Sequence, residues 1–298
     1  MTEQNLIEQL IHLGLGPYFE QLKPHLRNAI HLEISAQQES DIPIGVSKIG
    51  GLPDLPDTLT WPSETRIKTK RQFFFFGKNA SSVEVRPLSF IAQINFAEIK
   101  RLDTDDLSPS RGIAYFFYCS DQDSWGYDPA QKDKFRVLFY DGDSSNLKRI
   151  NFPSDLPDFG RYKPCRVEAS HATSLPQSYE LIDNIFKDEK DFEFYEHFTA
   201  HDYINKVLGH ADVIQNEMEL ECELVSNGLY CGDSSGYNNP LAKTLEPNAK
   251  NWRLLLQIDS NDEAEMMWGD SGRLYFWIKT EDLKERKFDR MWVILQCT

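Results

Sequence analysis

Two stretches of this 298-residue chain carry the same three-strand pattern about 160 residues apart, and that repetition narrows the folds open to it. The first begins Phe90-Ile91-Ala92-Gln93-Ile94-Asn95 and the second Leu254-Leu255-Leu256-Gln257-Ile258-Asp259, each an apolar run interrupted by one glutamine. Both lead through a loop to a glycine and an aromatic strand, Gly112-Ile113-Ala114-Tyr115-Phe116-Phe117 and Gly272-Arg273-Leu274-Tyr275-Phe276-Trp277. A third strand follows in each, near 135–139 and 289–294. Strands share composition, so chance convergence is the alternative. The matching register, glycine and tyrosine favour duplication. An amide buried without partners costs on the order of a few kcal/mol, so Gln93 and Gln257 are each expected to hold a neighbouring loop.

The rest of the chain reads as helix and loop around these blocks. Apolar spacing predicts a helix over 5–15, and Pro17 starts a second one through about 28, with Pro24 as a kink. Residues 30–34 alternate as a short strand. Residues 41–62 hold too many glycines and prolines for a regular element, yet keep Ile44, Val46, Ile49, Leu52, Leu55 and Trp61, so a packed loop is expected. Strands are predicted at 73–76, 88–95, 113–119, 135–140, 166–169, 252–258, 273–279 and 291–296. Residues 141–163 and 228–251 read as loops, helical spacing is found at 179–187 and 192–208, and 216–224 alternates as a strand would but is built of helix formers, which favours a helix. A short helix is expected to start at Thr280. The expected class is α+β: two related antiparallel sheet halves (72–170 and 252–298), N-terminal helices within 1–35, and a helical insertion at 176–226, with 36–298 as one domain.

Charge and cysteine usage limit the function classes. The net charge of −15 argues against nucleic acid, whose binding rests on neutralised phosphates, and against an anionic membrane surface. It is compatible with a basic protein partner, though it serves solubility first. No apolar run approaches the roughly 20 residues of a membrane helix. Five cysteines cannot pair completely within one chain, and the first residues lack the pattern of a secretion signal, so a reducing cytoplasm is expected.

No motif commits the chain to a chemistry. His197 and His201 stand four residues apart, a metal-ligand spacing, but Phe198 occupies the place of a zinc-protease glutamate and no third ligand is fixed. Gly269-Asp270-Ser271-Gly272 and Gly232-Asp233-Ser234-Ser235-Gly236 echo a serine-protease nucleophile loop, but neither lies in G-x-S-x-G and the chain lacks the all-β double-barrel pattern, so tight turns are expected at both. Asp121, Asp123 and Asp128 miss the spacing of a calcium loop. No phosphate-cradling glycine motif is found. We therefore expect no metal and no cofactor. If the two halves enclose a cleft, Gln93, Gln257, Trp61, Trp268, Asp270, His201 and Gln215 are the groups expected to line it.

Several segments together resemble a known family. Ser47-Lys48-Ile49-Gly50-Gly51 with Leu52-Pro53 and Trp61-Pro62, then Leu88-Ser89-Phe90-Ile91-Ala92-Gln93-Ile94, Leu208-Gly209 with Ile214-Gln215, and Trp252-Arg253-Leu254-Leu255-Leu256-Gln257-Ile258 are similar to the YwqG family of uncharacterised bacterial proteins. Trp268-Gly269-Asp270-Ser271-Gly272-Arg273-Leu274-Tyr275-Phe276 resembles that family's C-terminal block, so the likeness runs through about 40–298 in order. It implies a cytoplasmic α+β protein with a duplicated sheet, and an immunity-like role for some members beside toxin genes. It implies no catalytic residues. The expectation is a non-enzymatic acidic module that binds a basic protein, with a cleft enzyme or small-molecule binder as the alternative.

Overall fold

The apolar runs around Gln93 and Gln257 and the aromatic runs that follow them become strands because their side chains can be covered on two faces at once. The computed structural model describes residues 3–70, 80–177, 179–199 and 204–298. In chain order the strands are β1 (Arg27–Ala36), β2 (Lys48–Ile49), β3 (Asp54–Pro56), β4 (Ser63–Lys70), β5 (Ala80–Pro87), β6 (Ser89–Asn95) and β7 (Ile113–Tyr118). They continue as β8 (Phe135–Tyr140), β9 (Leu147–Arg149), β10 (Cys165–Ser174), β11 (Lys206–Leu208), β12 (Trp252–Asp259), β13 (Arg273–Lys279) and β14 (Trp292–Gln296). Ten of them form one antiparallel sheet in the order β14-β13-β12-β11-β1-β10-β2-β6-β7-β8. The sequence suggested two sheet halves; the structure joins them edge to edge. β1 and β10 pair continuously from Arg27↔Ser174 to Ala36↔Cys165, and the order of strands reads alike outward from that joint on both sides.

The sheet curls until its ends approach, as twisted strands in a long sheet tend to do. Phe116 of β7 meets Phe276 of β13 edge-on at 5.0 Å between centroids, and Phe135 meets Trp292 at 5.1 Å. The segment after β7 closes the seam: the Leu295 amide donates to the Trp125 carbonyl and the Trp292 indole to that of Gly126. The core therefore lies inside a nearly closed sheet. β7 and β13 are buried on their outer faces too, by the packed 41–62 loop on one side and by residues 209–251 on the other.

The helices are α1 (Glu3–His12), α2 (Phe19–Leu22), α3 (Phe96–Ile99), α4 (Tyr179–Ile185), α5 (Glu189–Thr199), α6 (Glu219–Ser226), α7 (Ser234–Tyr237), α8 (Ala242–Leu245) and α9 (Thr280–Lys284). α1, α2, α4 and α5 share a separate small core of Leu6, Leu10, Phe19, Leu22, Ile182 and Tyr195. Four expectations need correction. The helix predicted over 17–28 is broken into α2 between two 3-10 turns that hold Pro17 and Pro24, because neither proline can donate to a helical ladder. The helix predicted over 192–208 is helical through Thr199 among the described residues, and its last three residues are β11 instead. The 228–251 loop contains α7, capped by the Asp233 carboxylate, and α8. The hairpin β4–β5, rich in charge and poor in apolar alternation, was not foreseen. The strand predicted at 73–76 lies outside the described residues. Among the described residues no helix is long and apolar enough to cross a membrane.

Candidate functional site

The two glutamines build matching clusters. Gln93 Oε1 accepts from the Asp54 amide, and its Nε2 donates to Val46 O and Asp54 Oδ2; Tyr115 donates to Asp54 O. Gln257 Oε1 accepts from the Asp212 amide, and its Nε2 donates to Ile204 O and Asp212 Oδ2; Tyr275 donates to Asp212 O. A buried lysine completes each: Lys48 lies 3.7 Å from Asp54 and 2.8 Å from Glu39, and Lys206 lies 2.7 Å from Asp212. Burial raises the Asp212 carboxyl, and Lys206 outweighs that effect and holds it below its ordinary value. These side chains have spent their hydrogen bonds on the protein. They brace each covering loop to the sheet, which leaves little for a ligand to take.

The other residues singled out in the sequence are dispersed. Trp61 is half-buried, donates to Leu88 O and packs on Phe117 and Phe152. Trp268 is fully buried between Tyr118 and Tyr162. Asp270 and Gln215 are exposed; the Asp270 carbonyl accepts from Thr298, and Gln215 donates to Cys297 O. His201 lies outside the described residues, and His197 is exposed on α5. No hydrogen bond or ring contact among the described residues links these groups to one another. Nor does any cluster of three or more His, Cys, Asp or Glu among the described residues suit a metal. Asp121 and Asp123 pair with Arg66 and Lys134, and Asp128 caps the 129–134 turn.

A different place is open. β11 stops at Leu208, where Leu208 and Gly209 adopt φ of 60° and 78° and turn the chain off the sheet. β1 pairs with β11 only from Ala29 onward, and β12 pairs with it only at Gln257. The start of β1 and the start of β12 therefore have no strand between them. Arg27 and Arg253 stand there and line a cavity of about 640 Å³ with Leu26, His210, Leu220 and Trp252. They also line a smaller one of about 190 Å³ with Asn28 and Asp105. Arg27 Nη1 is buried without a hydrogen-bond partner. Arg253 Nη1 donates to the carbonyls of Lys250 and Trp252. Neither arginine forms an ion pair among the described residues. Burial, then the nearby Arg253, push the Arg27 guanidinium below its ordinary pKa. Burial, then Arg27, push His210 down to about 3, so its imidazole is neutral with Nε2 on His25 O.

The matching positions of the other half carry different groups. His31 lies opposite Lys206 and Arg166 opposite Lys48; four residues earlier stand Arg27 and Tyr162. Four residues before the glutamines stand Arg253 and Ser89, and four after the lysines stand His210 and Leu52. Where the second half has two guanidiniums and an imidazole, the first has neutral groups, with Tyr162 packed 5.5 Å from Trp268. Sequence reading passed over Arg27 and Arg253 because a basic residue at a strand end is common. The signal it could have used is the lysine-x5-aspartate spacing shared by Lys48–Asp54 and Lys206–Asp212, which fixes the alignment.

Residues 47–297 match the model of one protein family, described as Domain of unknown function (DUF1963). No curated protein matches the chain.

Proposed function

We propose that this chain, which belongs to the DUF1963 family, binds a small organic anion with an apolar body in the Arg27–Arg253 cavity. The carrying observation is the buried Arg27 Nη1 that no atom of the described residues satisfies, next to a second guanidinium held by carbonyls and by no ion pair. The two half-buried guanidiniums repel each other, and Glu219 and Asp105 oppose that repulsion without forming an ion pair with either; a carboxylate or phosphate between them supplies both charge and paired acceptors. Pro24, Leu26, Pro176, Leu181, Val213 and Leu220 offer a surface for an apolar body, while Glu217 and Glu219 also line the wall and favour an anion held close to the two arginines. The lining holds no serine, threonine or cysteine, so it supports binding more than covalent chemistry. Hexanoate and phenyl phosphate are suitable probes. Either should raise the melting temperature of the full chain, and Arg27→Leu or Arg253→Gln should abolish the rise while Arg27→Lys keeps part of it. No shift with any organic anion at millimolar concentration, or an equal shift in Arg27→Leu, would overturn the proposal.

One observation favours a second reading, a basic protein partner. Residues 3–26 and 179–199 carry ten acids against three bases, net −7 of the chain's −15. They form the helical lobe, which also exposes Ile11 and Phe194. On this reading, neutralising Asp183, Asp188, Glu189 and Glu193 removes a partner that wild-type protein captures at low salt and releases at high salt. Unchanged capture by that variant would reject the lobe as the docking face. An immunity-like role and the narrower likeness to YwqG proteins rest on the motif residues alone. Five free thiols support a cytoplasmic setting. Shared strand order, the bulges at Phe90/Ala92 and Leu254/Leu256, and the paired lysine–aspartate–glutamine clusters support an origin by duplication.

A further inference from the structure

A second cavity, of about 680 Å³, lies at the C-terminal end of α6 and is lined by Lys132, Asn227, Gly228, Trp252, Asp289 and Trp292 among others. Its rim includes the exposed Glu281, Asp289 and Arg290, so it communicates with solvent. Three cationic side chains face it, and two of them are paired. Lys279 lies 2.6 Å from Glu223, and Arg290 lies 3.0 Å from Asp282. Lys132 has no carboxylate partner among the described residues. Its Nζ donates to the Met291 carbonyl and sits 5.0 Å and 5.1 Å from the ring centroids of Phe135 and Trp292.

This placement sets Lys132 apart as a chemical group. Lys279 and Arg290 are each tied to a carboxylate. Lys132 is held instead by a neutral carbonyl and two ring faces, at the wall of a space large enough for a second molecule. We propose that Lys132 is a selectively reactive amine that condenses with a small aldehyde or ketone entering this cavity. The Nζ lone pair forms a bond to the carbonyl carbon as the C=O π bond breaks; the nitrogen gives up one proton to solvent and the oxygen takes one up. The resulting carbinolamine then loses its hydroxyl, protonated by solvent, as water while the nitrogen gives up its second proton, which leaves a C=N bond to Lys132. No oxidant or reductant is consumed.

The charges around the amine tune it. Burial first, then Arg136 on β8, push Lys132 down to about 8, against the opposing pull of Asp289 and Cys222. At pH 7 to 8 a useful fraction of the amine is neutral, whereas an ordinary lysine is almost wholly protonated. Lys279, Arg290 and Asp282 face the same cavity as closed pairs.

The test treats the full chain with butanal and sodium cyanoborohydride from pH 6.5 to 9.5 and maps the reduced adducts by peptide mass spectrometry. Lys132 is expected to be modified about tenfold or more faster at pH 7.5 than the exposed Lys148 and Lys163, with its rate rising through a midpoint near pH 8. Lys132→Arg should lose the fast adduct. Arg136→Gln should move the midpoint up, and Asp289→Asn, at an exposed position that leaves the fold intact, should move it down. Equal labelling of Lys132, Lys148 and Lys163, an unmodified Lys132 at pH 9, or a midpoint that ignores Asp289→Asn would each overturn the proposal.

Discussion

A lysine with almost no exposed surface needs an opposite charge within reach, and Lys206 has its partner in Asp212 at 2.7 Å. Removing one member of such a pair strands the other. Asp212→Ala should lower unfolding stability by about 3–5 kcal/mol in urea titration, and Gln257→Leu should lower it less, because it leaves the ion pair in place. Acid should weaken the same brace. The Asp212 carboxyl is held below its ordinary value in the folded protein, so its contribution is present above the unfolded value near 4 and fades as pH falls through the folded one. Glu221 acts in the opposite sense. Burial pushes it up to about 7, so the folded protein holds a proton that the unfolded chain has already released. Stability should therefore fall as pH rises from about 4.5 to about 7, by at most about 3 kcal/mol. Glu221→Gln should flatten that slope, and a slope unchanged by the substitution would refute the assignment. The protease-like Gly269–Gly272 segment is a turn, with Ser271 at φ 50°; Ser271→Gly should raise stability by about 0.5–1 kcal/mol. Sequence alone showed that Gln93 and Gln257 need partners. It did not show that Asp54 and Asp212 are those partners, since both reach the glutamines across folded loops rather than along a strand.

Single elements carry the two cavities. β11 is three residues long, and its end decides whether Arg27 and Arg253 face an opening. Gly209 makes that end: its φ is 78°, and an added Cβ would lie 2.6 Å from the Ala29 Cβ. Gly209→Ala should destabilise the chain by about 2 kcal/mol or more, and it should weaken hexanoate binding because the clash displaces β1 beside Arg27. Calorimetry and a binding titration on the same preparation separate the two effects. The element-level reading of the sequence succeeded where a segment had enough residues to show its period, as in β6, β7, β8, β12, β13 and β14. It failed at β11, which helical spacing absorbed into the preceding helix. Pairing with β1 on one side and β12 on the other overrides that local pattern, and no window along the chain contains those partners.

The whole molecule is held by one sheet, so its halves should not unfold separately. A single urea transition, coincident by tryptophan fluorescence and far-UV circular dichroism, is the expected behaviour. Trp292 closes the seam between the sheet ends through Phe135 and the Gly126 carbonyl. Trp292→Ala should lower stability by about 3–5 kcal/mol while keeping the single transition; two transitions would show the halves to be independent. The α+β class was legible from strand composition. The central joint was not, because β1 sits between helical segments and its partner β10 lies more than a hundred residues away.

That separation shapes how the chain is made. β1 emerges from the ribosome well before β10 or β11 exists to flank it. At about 5–20 residues per second the wait is on the order of ten seconds. During that interval both edges of β1 are bare, and Ile30, Leu32 and Ile34 have no core to enter. β1 thus waits for both of its neighbours, and until they arrive its bare edges are open to pairing with a neighbouring copy.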